Sequence, residues 1–284
     1  MMSLFKANRL SVNTNEQAFN THLQTINTSL WFTRNSLLRT MLFCCVLLVT
    51  ALSSRQVVAE AANTFTTRIT LLPSQITLSY PQDVRFSQVL SDAYAQSNEE
   101  IYALGTGLID PHKQTMIDTQ KRVIMRQLTQ LNTPQAMQLA KQLDSLPLVY
   151  HEPIATDLTS VRVSSKLNPL IKQDYWLSLS KRPTHIKVFD PALDHSVTMA
   201  LQENADLRDY LAKLSQITKQ ARHDSAWIIQ ADRVVYQVDN LAWKNTLHFL
   251  SPGAIVFIGL QNLPYEYRDL NANIAHLLAF RLEL

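Results

Sequence analysis

The sequence predicts an α+β fold of two small sheet domains, the first carrying an inserted helical hairpin, with an amphipathic helix closing the chain. Three observations predict it. A strand, a proline turn, a second strand and an apolar-faced helix run in that order from Phe65 and again from His185. Between the two units lies a stretch whose apolar residues keep helical spacing. The final residues, Tyr267 to Leu284, place most of their large apolar side chains on one side of a helical wheel.

Residues 1–61 read as a leader. Arg34 and Arg39 precede the apolar run Met41 to Leu52, and Ala59-Glu60-Ala61 follows, which is the order of a signal peptide with cleavage after Ala61 or Ala59. The run is too short for the roughly 20 residues of a membrane-spanning helix, so no transmembrane segment is expected in the mature chain. Cys44 and Cys45 are the only cysteines and both fall inside the leader, leaving no disulfide and no thiolate metal site. The leader's Lys6, Arg9, Arg34, Arg39 and Arg55 outnumber Glu16 and Glu60 by three, which is the whole formal net charge of +3. A mature chain balanced in charge has no electrostatic reason to bind nucleic acid. Export without cysteine suits a bacterial periplasm.

The first domain is expected over residues 62–183. Phe65, Thr67, Ile69 and Leu71 alternate with polar residues, Pro73-Ser74 breaks the run, and Ile76, Leu78 and Tyr80 alternate again, a hairpin. Phe86, Val89, Leu90 and Ala93 then follow helical spacing. The helical insertion is placed at about 112–145: Met116, Ile117, Val123, Ile124, Leu128 and Leu131 share a face, and Thr133-Pro134 starts a second helix. The second domain, 184–262, repeats the hairpin and helix, adds a hairpin turning at Ala231-Asp232, and ends in the buried strand of "GAIVFIGL". Strand-strand-helix-strand-strand is the order of a β-grasp domain, so both units are read as β-grasp-like. Residues 263–284 form the closing helix.

Catalytic signatures are missing from the motifs. There is no G-x-S-x-G, no phosphate-cradling loop and no H-E-x-x-H. Asp190, Asp194 and His195 in "DPALDH" are explained by a proline turn better than by a metal site. His151-Glu152 reads as a solvated loop pair, and no cofactor is called for. Scattered carboxylates could still meet across the fold, which keeps a hydrolase or lyase acting on polysaccharide as the alternative function. Among the aromatics, Trp176 and Trp227 sit in expected strands, where packing is the default. Trp243, in the loop-like "NLAWKNTLHF" beside Lys244 and Asn245, is the expected glycan or partner contact.

On the closing helix, Tyr267, Leu270, Ile274, Leu277, Leu278 and Leu282 fall within one arc, opposite Arg268, Asp269, Asn273, His276 and Glu283. The mixed polar side disfavours a membrane surface. The face is expected to rest on the protein itself in the isolated chain. Its removal is then expected to leave a folded protein.

Several segments carry a family resemblance: Asn168-Pro169, Asp174-Tyr175 and Arg182-Pro183, then Trp243 followed by Asn245, Pro252-Gly253 with its strand, and the closing helix. In order and spacing the chain resembles the GfcC-like capsule and exopolysaccharide biosynthesis family, which includes YjbG-type proteins. The resemblance implies two β-grasp domains similar to those of outer-membrane polysaccharide export proteins. It also implies a periplasmic, non-enzymatic accessory role, with polysaccharide or the export machinery as partner, and a closing helix whose face of Tyr267, Leu270, Ile274, Leu277 and Leu278 can be offered to a partner in the envelope. Two departures concern turns: Ala231-Asp232-Arg233 lacks an expected glycine, and Asp190 stands near another.

Overall fold

The computed structural model describes residues 67–284 except Arg222 and Ala242; the expected leader lies outside these residues. Thr67–Leu72 (β1) pairs antiparallel with Thr77–Tyr80 (β2) across the Pro73 turn. After Val84–Arg85 (β3), the helix Phe86–Gln96 (α1) buries Phe86, Val89, Leu90 and Ala93, residues that its 3.6-residue period brings to one side. Gly107–Ile109 (β4) leads to Gln114–Leu131 (α2), which ends at Asn132 in a left-handed conformation. Two residues later Pro134–Asp144 (α3) begins, its first turn closed by the Thr133 hydroxyl, which accepts from the Ala136 amide. Leu158–Val163 (α4) and Leu170–Ile171 (β5) precede Tyr175–Ser178 (β6).

These strands form a four-stranded sheet in the order β2-β1-β6-β4, in which β1 and β6 run parallel. One face, with Ile69, Leu71, Leu108 and Leu177, packs on α1 and α4. β3 and β5 make a separate two-stranded ladder.

The second sheet starts with His185–Phe189 (β7) and Val197–Ala200 (β8). Leu207–Thr218 (α5) follows, opened by a capping box in which Asp206 and Asp209 each accept from the other's backbone amide. Ser225–Ile229 (β9), Val235–Asp239 (β10) and Ile255–Phe257 (β11) complete the order β10-β9-β11-β7-β8, with β7 and β11 parallel. Arg233 occupies the left-handed position of the β9–β10 turn at φ 70°, where glycine would be unstrained.

Both faces of this sheet are covered. Ile186, Val188, Ile228 and Val256 point to α5, whereas their neighbours Phe189, Ile229, Ile255 and Phe257 point to a second apolar cluster. That cluster is built from α2, α3 and the last helix, Leu270–Leu278 (α6). Helices that precede β6 in the chain therefore pack on the second sheet. No helix among the described residues is long and apolar enough to cross a membrane.

The closing segment differs from the wheel in two ways. The helix spans Leu270–Leu278 only; beyond it Arg281 bridges to Leu148, and the Leu282 amide donates to Pro147 O, so Leu282 does not share the helical face. The cause is Arg281, which is 3% exposed and drives Nη2 into the carbonyls of Gln230 and Gly253 at 2.9 and 3.0 Å. Leu270, Ile274, Leu277 and Leu278 are all buried in the cluster, and Tyr267, in a short 3-10 turn, is half-buried beside them. Removing residues 267–284 would strip this cluster of its central side chains, so the expectation of a folded truncated protein does not stand.

Candidate functional site

The segment between β10 and β11 carries Trp243 and is tied down at both ends. Leu241 and Leu250 are buried in the cluster under α5. Asn240, left-handed at φ 60°, accepts from the amides of Trp243 and Lys244 and so turns the chain outward. On the return, the Leu207 amide donates to His248 O, and Arg208 Nη1 donates to Asn245 Oδ1 at 3.1 Å. A loop pinned this way presents its tip on a fixed base. Trp243 is 87% exposed, and Lys244 and Asn245 are exposed beside it in sequence.

Apolar side chains flank the loop's return. Leu247 and Phe249 are more than half exposed, as is Val234 in the β9–β10 turn. Gln230 links the last two: its side-chain amide donates to Phe249 O at 2.9 Å, and its backbone amide donates to Val234 O. The surface thus combines an indole, apolar neighbours and amide or ammonium groups, which suits the stacking and hydrogen-bonding chemistry of sugar or of a partner protein's polar rim.

Sequence reasoning missed a second exposed indole. Trp176, assigned to packing by default, is 40% exposed because β6 turns it to the face of the first sheet opposite α1. Its cross-strand neighbour is Thr70, itself paired with Thr77, and Arg68 of β1 forms an ion pair with Asp174, which directly precedes β6. The polar partners Arg68, Thr70 and Thr77, alternating with apolar residues, were the available signal. Trp227 does pack, against the α2, α3 and α6 cluster.

His151 and Glu152 are not a solvated pair. Residue 151 bridges to Ile109 as an added strand beside β4, which carries His151 indoors to 5% exposure. Its Nε2 lies 3.0 Å from Arg281 O. Burial, and then the nearby Arg233 and Arg281 charges, lower its pKa to about 3, against the raising effect of the Arg281 carbonyl contact. Glu152 pairs with Lys113, which also lies 3.6 Å from the buried Asp110 and over the Tyr150 ring. One ammonium thus serves two carboxylates, an arrangement that clamps β4 to the start of α2.

The "DPALDH" residues separate in space. Asp194 and His195 are exposed, whereas Asp190 is 1% exposed at the end of β7 and faces His223. No cluster of three His, Cys, Asp or Glu side chains among the described residues could hold a metal ion. A separate cleft of about 870 Å³ lies between the Pro73 turn, residues 96–101 and the end of the chain; none of the expected contact residues lines it.

Comparison with known proteins bears on both halves. The family model described as capsule biosynthesis GfcC, N-terminal, matches residues 63–182, and the one described as capsule biosynthesis GfcC C-terminal matches residues 195–283. No curated protein matches the chain.

Proposed function

The chain belongs to the GfcC family of capsule biosynthesis proteins, and from that premise we propose that it is a non-enzymatic accessory protein of capsule or exopolysaccharide assembly. It acts in the bacterial periplasm, delivered by the leader. Trp243, Lys244 and Asn245 contact the polysaccharide or the export machinery. We read each sheet with its helix as a β-grasp-like domain, since each sets a central parallel pair beside a hairpin and lays a helix on one face. The α2–α3 pair is read as an insertion in the first domain that reaches over the second.

The observation that carries this reading is a large indole held almost fully in solvent on a pinned loop. A Trp exposed to this degree gains nothing for the fold, and such residues dominate contact energies when a partner covers them. The face of α6 would reach a partner only by leaving its cluster, so we assign contact to the Trp243 loop.

The test incubates purified protein with the polysaccharide of the source organism while reducing ends and unsaturated products are followed. No turnover is expected. Sustained turnover abolished by a single Asp or Glu substitution would replace this reading with the hydrolase or lyase. Pull-down from periplasm with wild type and Trp243→Ala then identifies the contact: glycan or export proteins recovered with the first and lost with the second.

A further inference from the structure

The first sheet gives only one of its faces to helices. Alternation along β1, β2 and β6 sends Ile69, Leu71, Leu78 and Leu177 toward α1 and α4, and so turns Thr70, Thr77 and Trp176 the other way. The strand register sets these three in one row, with Trp176 beside Thr70 and Thr70 beside Thr77. At a strand spacing of about 5 Å, the two threonines stand about 5 and 10 Å across the sheet from the indole's own strand. On its other flank Trp176 pairs with Ile109 of β4, which is fully buried. No hydrogen bond among the described residues engages either threonine hydroxyl, so each is free to donate and to accept.

Along the strands the face changes character at each end. Two residues before Thr70, Arg68 donates to Asp174 from its backbone amide and Nε at 2.8 and 3.1 Å, and its Nη2 lies 2.9 Å from the same carboxylate. The pair cancels its own charge. Two residues beyond the row, Leu72 and Ser178 line the cleft of about 870 Å³ next to the Pro73 turn, a volume within the roughly 300–1,000 Å³ of small-molecule sites. The exposed indole therefore stands about 7 Å, two strand residues, from the mouth of a cleft.

We infer that this face binds an uncharged oligosaccharide, with one ring stacked on Trp176, its hydroxyls on Thr70 and Thr77, and the chain continuing into the cleft. A pyranose ring offers an apolar face to the indole and a rim of hydroxyls that donate and accept as the threonines do. Charge selects the same ligand, since an acidic polymer would meet a guanidinium already held by a carboxylate. A partner protein would place apolar side chains around the ring; Leu247 and Phe249 supply them near Trp243, whereas the exposed neighbours of Trp176 carry hydroxyls. The site is separate from the Trp243 loop, and it rests on the proposed function only for its natural ligand being the capsule or exopolysaccharide.

Saturation-transfer NMR on the full chain with the tetrasaccharides of glucose, galactose, mannose and N-acetylglucosamine tests it, with tetragalacturonic acid as the charged counterpart. At least one neutral sugar is expected to receive saturation, and the acidic one less. Trp176→Ala should weaken binding about tenfold or more, as for a contact residue of this kind. Thr77→Lys, at an exposed edge position, lays a long charged side chain across the row and should do the same without removing the indole; Trp243→Ala should leave the signal unchanged. Absence of signal from all four neutral sugars overturns the inference, as does stronger binding of the acidic one. So does binding that survives both Trp176→Ala and Thr77→Lys; if that binding is lost in Trp243→Ala, the loop is the glycan site and the proposed function stands without this one.

Discussion

Three residues show how position in the fold converts chemistry into a measurable effect. Trp243 has almost no contacts to lose, so Trp243→Ala should move the unfolding free energy by no more than about 0.5 kcal/mol, as for an ordinary surface change; a loss of ~3 to 5 kcal/mol in denaturant titration would mean a buried ring. Gly107 is the opposite case. A Cβ there would lie 2.5 Å from His151 Nδ1 and 2.6 Å from Arg233 Nη2, both held in the junction between the first sheet and the β9–β10 turn. Gly107→Ala should therefore cost about 1–3 kcal/mol by overpacking, read as a lowered melting temperature. His151 supplies a pH dependence. Its pKa is lowered in the folded chain, so the fold favours the neutral ring; that contribution is whole above the ordinary value of 6.5 and drains away as pH falls toward about 3. Stability measured from pH 7 to pH 4 should fall less steeply in His151→Gln than in wild type, and parallel slopes would show that another group governs the acid response.

Elements differ in how much of themselves the sequence displays. The hairpin and helix from His185 are legible because alternation in β7 and the Asp206 cap of α5 are local signals that tertiary contacts reinforce. The last helix is legible in its apolar face and not in its length. A wheel carries Leu282 onward with the period, but Arg281 is drawn into backbone carbonyls of distant residues, and no local rule reports that pull. Trp176 fails for a related reason: a strand residue's burial depends on which sheet face a helix covers, and α1 and α4 cover only one. The α6 face should behave as core. Leu277→Ala, at 0% exposure, should cost roughly 2–5 kcal/mol, and a negligible cost would return this face to the surface and to partner binding.

At the scale of the molecule, the second sheet is the centre, with α5 on one face and α2, α3 and α6 on the other. The order of elements predicts the two sheets, whereas the packing of residues 114–144 on the second one depends on contacts far apart in sequence. The contact of Asp190 with His223 is hidden likewise, since the histidine lies in a different segment from the "DPALDH" run. These packed layers support the loop that holds the Trp243 indole in solvent. Capsule or exopolysaccharide output in a strain lacking this gene, complemented with wild type or Trp243→Ala at equal protein level, tests that account most directly. The account predicts restored output with wild type and strongly reduced output with Trp243→Ala; equal output from both would contradict it.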